Sequence, residues 1–313
     1  MSAMSKAQKA KAEAYVKEAE GLLSKKGWFS SSKERNAEDA AESFEKAANA
    51  YKIGGLNQEA GDSYVKAAEL YRDKLSDFNN ASKSLNNAGT CYKKINPADA
   101  INAYRQAVSL YTDNARITQA AKLMKTIAEL YEEEEIEDDG KSYIVCAIDA
   151  YEQASELFGM EDSKSSTSQC LSKIAELCSA ALDPPDFTRA SKIYDKLGRN
   201  CLGSNLLKFN AKGYFLQSIL CNLAISDDVG AEQAIQKYES LDYTFGDSRE
   251  GKFASALIDS VKGYDVEGFS QACFDYDRIS KLNPWQTSIL VKVKRTIDEG
   301  AEDDDDDSDV DLT

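Results

Sequence analysis

One short word recurs along this chain: an alanine three or four residues before an aromatic, closing segment after segment. It reads AANAY ending at Tyr51, AAELY at Tyr71, AGTCY at Tyr92, AVSLY at Tyr111 and IAELY at Tyr131, with gaps of 20, 21, 19 and 20 residues. After an interruption it returns as ASELF at Phe158 and IAELC at Cys178. Residues three and four apart share a helical face, so the small residue admits a close neighbouring helix and the aromatic fills the groove beside it. Each unit then reads as one helix plus a short turn, and two units as an antiparallel hairpin. Stacked hairpins bury one continuous core, which predicts an all-α, tetratricopeptide-like solenoid. Gly54-Gly55, Asn96-Pro97 and Pro184-Pro185 punctuate the series. The spacing is longer than the tetratricopeptide period of about 34 residues per hairpin, which marks a divergent array.

Past Gly203 the word fades and more apolar segments follow, such as Tyr214 to Ile225 and Phe253 to Val261. The reading is a solenoid over 1–202, with a loop at about 24–36, then a helical bundle over 203–297 that caps its end. The last fifteen residues, Glu299 to Thr313, hold nine acids and no base, more than half of the formal charge of -16. The segment 298–313 is expected to be a disordered acidic tail. A chain of this sign is a poor nucleic-acid binder, which excludes that class of partner while leaving room for local basic faces.

Much chemistry is excluded by what the chain lacks. It has no histidine, so triads, histidine bases and most zinc sites fall away. The seven cysteines never stand as C-x-x-C and read as small hydrophobes. Gly140-Lys141-Ser142 resembles the end of a phosphate loop, but Glu135 occupies the position that needs glycine. A calcium loop fails too, since Cys146 stands where its bidentate Glu belongs. No catalytic residue, metal or cofactor is expected, and the glutamates of 132–137 read as a solvated helix end. With no apolar run long enough to span a bilayer and no signal peptide, the protein is expected to be cytoplasmic.

Several stretches carry a resemblance: GWFSSSKERNAEDAAESFEKAANAYK (27–52), CYKKINPADAINAYRQAV (91–108), ARITQAAKLMKTIAELYE (115–132), NLLKFNAKGYFLQSILC (205–221), FGDSREGK (245–252) and YDRISKLNPWQTSILVKVKRTI (276–297). In that order, and with Asp311-Leu312 at the end, they resemble the soluble NSF attachment protein (SNAP) family, alpha/beta type. The resemblance implies an adaptor that binds assembled SNARE complexes and recruits and stimulates the hexameric ATPase NSF, so that SNAREs separate after membrane fusion. It implies a basic SNARE-binding face of Lys93, Lys94, Arg116, Lys122, Lys173, Lys208 and Lys212. Gln169 departs from the lysine common at that position, so that contact is absent or moved to Lys173 or Lys164. It also implies NSF contacts at Asp247, Glu250, Asp311 and Leu312, although an inert solubilising tail remains the alternative for the last two.

Trp28 and Phe29 lie in a serine-rich stretch flanked by Lys25, Lys26, Lys33 and Arg35. Aromatics among bases suit a membrane surface, where rings enter the headgroup layer and cations meet anionic lipid, and peripheral membrane association follows. The alternative is a staple beneath the second helix. The rival functional readings are a generic tetratricopeptide-type scaffold or co-chaperone, whose peptide clamp is not found, and an enzyme, for which no constellation exists.

Overall fold

Every occurrence of the word lands in the last turn of a helix. The structure, a computed structural model, describes residues 2–25 and 30–307, with side chains for 2–25 and 31–298. The first helices are α1 (Ala3–Ser24), α2 (Ser30–Ile53), α3 (Asn57–Asp73), α4 (Phe78–Tyr92), α5 (Pro97–Asp113), α6 (Ile117–Glu134) and α7 (Tyr143–Met160). They are followed by α8 (Lys164–Ala180), α9 (Phe187–Leu202), a 3-10 turn (Lys208–Asn210), α10 (Ala211–Leu223), α11 (Asp228–Leu241), α12 (Arg249–Lys262), α13 (Val266–Ile279) and α14 (Pro284–Asp307). Among the described residues there is no strand, only an isolated bridge between Asp138 and Lys141, so the expected all-α class holds.

The chain forms two compact units, Met1–Thr167 and Ser168–Thr313. In the first, each helix packs on its successor, α1 on α2 through α6 on α7, as hairpins joined by tight turns. Left-handed residues shape most of these connections: Gly55 (φ 75°), Ser76 (52°) and Ala115 (55°) in one each, and Glu135 (50°), Asp139 (51°) and Gly140 (73°) between α6 and α7. A capping side chain then opens several of the helices. Asp77 accepts from the Asn80 amide at 3.0 Å and Asn96 from the Asp99 amide at 3.3 Å, with Pro97 at the first helical position, where it gives up no needed N–H.

A second aromatic stands seven residues before the first on four helices: Phe44 with Tyr51, Tyr64 with Tyr71, Tyr104 with Tyr111, and Tyr151 with Phe158. All eight are buried, forming a stripe two turns long on each helix face. Two glycines let rings approach neighbouring backbones. A Cβ on Gly61 of α3 would lie 2.3 Å from the Tyr92 ring of α4, and one on Gly89 of α4 would lie 2.4 Å from the Tyr104 ring of α5. The tyrosines bury their rings and keep their hydroxyls bonded: Tyr92 donates to Asp62 at 2.7 Å and Tyr64 to Asn49 at 2.8 Å.

The second unit is organised around α10, whose Phe215, Leu216, Ile219, Leu220 and Leu223 are fully buried. Phe215 stacks on Tyr238 with centroids 4.0 Å apart, and Phe245 meets both edge-on at 5.8 Å. A satisfied polar seam joins α9, α10 and α11: Tyr238 donates to Ser218 Oγ at 2.9 Å, and Ser191 donates to Asn222 at 2.7 Å. Trp285, at the start of α14, donates its indole N–H to Ser179 of α8 at 2.8 Å and meets the Tyr194 ring of α9 edge-on.

The structure divides earlier than the expected boundary at 202/203. The physical reason is that α9 packs on α10: Gly198 receives the Phe215 ring, and Tyr194 stacks with Tyr214. Two further differences concern ends. Residues from Ser30 onward are helical, inside the stretch 24–36 read as loop, and α14 continues to Asp307, within the stretch 298–313 read as tail. In α14 the buried seam of Ile289, Leu290, Val293 and Ile297 seats the helix, and no proline follows to stop it.

Candidate partner-binding site

The basic residues singled out in the first unit sit at turns, and chain direction decides which turns they share. Lys93 is the C-cap of α4 and Lys94 follows it; Arg116 is the N-cap residue of α6 and Lys122 lies further along α6. Between the α4–α5 and α5–α6 turns runs α5, 17 residues and hence about 25 Å long, so Lys93 and Arg116 stand at opposite edges of the hairpin row. The return of the chain brings the C-terminus of α6 back beside Lys93, whose Nζ lies 3.5 Å from Glu133 Oε2. Lys94 and Lys122 are exposed and Arg116 is half-buried, and no carboxylate among the described residues pairs with any of the three.

In the second unit, Lys173 pairs with Glu176 at 3.7 Å and Lys212 donates to the Thr244 carbonyl at 3.1 Å. Lys208 is exposed and lies over the Phe209 ring, 5.4 Å from its centroid. Around it the α9–α10 connection presents Leu206 at 86% exposure and Phe209 at 76%. Side chains this exposed bury little surface on folding, and beside the cation they add an apolar element that sequence reasoning missed. The signal lies in the word NLLKF, at the start of the expected bundle.

The acidic pair assigned to NSF separates. Asp247 is exposed in the α11–α12 turn, whereas Glu250 is 9% exposed and accepts from Arg249 Nε at 2.7 Å. Ser248 caps α12 there, and a Cβ on Gly251 would meet the Phe245 carbonyl at 2.1 Å, so Glu250 belongs to a tightly packed helix start. Tyr243, 90% exposed, is the prominent side chain of that turn. Trp28, Phe29, Asp311 and Leu312 lie outside the described residues.

One polar cluster had no sequence signal because its members are far apart in the chain. Arg105 of α5 donates to Tyr131 of α6 at 2.5 Å and pairs with Asp138 at 2.7 Å, while Tyr131 donates to the same carboxylate at 2.5 Å. The Tyr131 bond and the guanidinium hold Asp138 below the usual carboxylate range, and burial pushes the Tyr131 hydroxyl up. The clamp pins the acidic connection between α6 and α7.

These features sit in a chain whose likeness to known proteins covers both units. A family model described as "Soluble NSF attachment protein, SNAP" matches residues 10–298. The alpha-soluble NSF attachment protein of Homo sapiens is 36% identical over 294 residues, 94% of this chain and 95% of that protein. The beta-soluble NSF attachment protein of Bos taurus is 35% identical over 269 residues, 86% and 87% of the two chains. The vesicular-fusion protein SEC17 of Komagataella phaffii is 34% identical over 280 residues, 88% and 92%. With the all-helical hairpin fold and a match that runs through both units, the chain belongs to the soluble NSF attachment protein family.

Proposed function

We propose that this protein is an adaptor that binds assembled SNARE complexes and recruits and stimulates NSF, so that the SNAREs separate after membrane fusion. The observation that carries the reading is the family match from residue 10 to residue 298, which leaves neither unit unaccounted for. The chain does no catalysis in this scheme; NSF hydrolyses the ATP.

The SNARE-facing residues are Lys93, Lys94, Arg116 and Lys122 in the first unit and Lys173, Lys208 and Lys212 in the second. Exposed cations speed encounter with an acidic helical bundle and tolerate varied sequences, as service to many SNAREs requires. Leu206 and Phe209 add apolar contact beside Lys208, where burial stabilises by roughly 1.5–3 kcal/mol per side chain. Asp247, Asp311 and Leu312 face NSF, with Glu250 acting through the α12 start that it helps to hold. Among the described residues no helix is long and apolar enough to cross a membrane, and Trp28 with Phe29 provides peripheral contact with the bilayer.

The test is recovery from cytosol with and without hydrolysable ATP. NSF and SNAREs retained together, and released on hydrolysis, support the adaptor; capture of a chaperone alone refutes it. Reversing Arg116 and Lys122 together should weaken SNARE-complex binding with the helical spectrum unchanged, since single exposed charges contribute only about 0–1 kcal/mol each. Unchanged binding and salt dependence would remove these two residues from the interface.

A further inference from the structure

We infer that Glu133 is a built-in electrostatic mask on Lys93 that sets how strongly this edge of the first unit attracts an acidic partner; the inference rests on the adaptor reading above. The α4 C-terminus presents two lysines in succession, yet they are not equivalent. Lys94 is exposed and no carboxylate among the described residues pairs with it, whereas the Lys93 ammonium lies 3.5 Å from Glu133, forty residues later in the chain. The pair is solvent-exposed, at 40% for Lys93 and 60% for Glu133, so it contributes little to stability. Its effect on a ligand is of a different kind, because a partner carboxylate approaching Lys93 meets a negative charge already there.

The position of Glu133 is held from both sides. Tyr131 is buried and donates to Asp138, which Arg105 also grips. Glu132 accepts from Tyr151 of α7 at 3.1 Å. Glu135 turns left-handed at φ 50° and ends α6. The last turn of α6 is therefore fixed, and Glu133 is carried on it to the α4 end.

The experiment uses the full chain and a purified, soluble, assembled SNARE complex, with affinity measured at low and high salt for the unmodified protein, Glu133→Gln, Lys93→Met and the double variant. Removing one unit charge several Å from a contact in water should tighten binding roughly two- to threefold at low salt, with the gain shrinking as salt is raised. The gain should vanish in the Lys93→Met background. Equal affinity of Glu133→Gln and the unmodified chain, while Lys93→Met weakens binding, overturns the mask alone. A gain that survives in Lys93→Met shows a general repulsion and overturns it too. No effect of Lys93→Met removes Lys93 from the interface, and no binding by the unmodified chain overturns the adaptor reading itself.

Discussion

Replacing Gly61 by alanine should destabilise the first unit, although alanine is the better helix former. Gly61 lies inside α3, where glycine costs about 1 kcal/mol relative to alanine. The added Cβ would stand 2.3, 2.6 and 2.7 Å from three atoms of the Tyr92 ring, all well inside ordinary contact. The ring must move, and with it goes the 2.7 Å bond from Tyr92 to Asp62, a loss of about 0.5–1.5 kcal/mol. Overpacking adds about 1–3 kcal/mol. After the propensity gain is subtracted, the expected net loss is about 0.5–3.5 kcal/mol, read as a lowered urea midpoint with an unchanged slope. Gly159, also helical but with open space at its Cβ position, is the control, and Gly159→Ala should stabilise by about 0.5–1 kcal/mol. If Gly61→Ala stabilised the protein as Gly159→Ala does, the ring slot would not constrain packing. The substitution also bears on function, since Tyr92 immediately precedes Lys93 and Lys94 and its seating positions them.

Alkali should unfold the protein cooperatively. Burial pushes Tyr64 up to about 12 and raises Tyr71, Tyr92 and Tyr131 as well, so the folded state holds these protons more tightly than the unfolded chain. Stability is then fully present below about pH 10 and falls as pH rises toward 12, and tyrosinate absorbance should appear together with loss of helix; free titration of all tyrosines near pH 10 with helix retained would contradict this. Leu312→Ala should leave SNARE binding intact and reduce NSF stimulation, whereas lost SNARE binding would place the residue at the other interface. Trp28→Ser with Phe29→Ser should slow disassembly of liposome-anchored SNAREs and spare soluble complexes, and equal loss in both assays would favour the staple beneath the second helix.

The helical array was legible in the sequence because its signal is local. Alanine and an aromatic at i+3 or i+4 describe one helix face, and the residues that punctuate the helices, Gly55 in the turn after α2 and Asn96 and Pro97 at the start of α5, act within a few positions of where they stand. The seven-residue aromatic register and the whole-chain resemblance lie in the same string of letters. Tertiary structure alone decided which residues meet. Gly61 and Tyr92 are thirty-one positions apart, Arg105 and Asp138 thirty-three, and Lys93 and Glu133 forty. No period relates these pairs, because they are set by the direction in which each helix returns beside its neighbours. The same geometry split the basic residues between two edges of the row and buried Glu250 while exposing Asp247, three residues before it. It also left Leu206 and Phe209 in water, although an apolar word in sequence reads as core. Composition and spacing specify which face of a helix is apolar, and only packing decides whether another helix covers it.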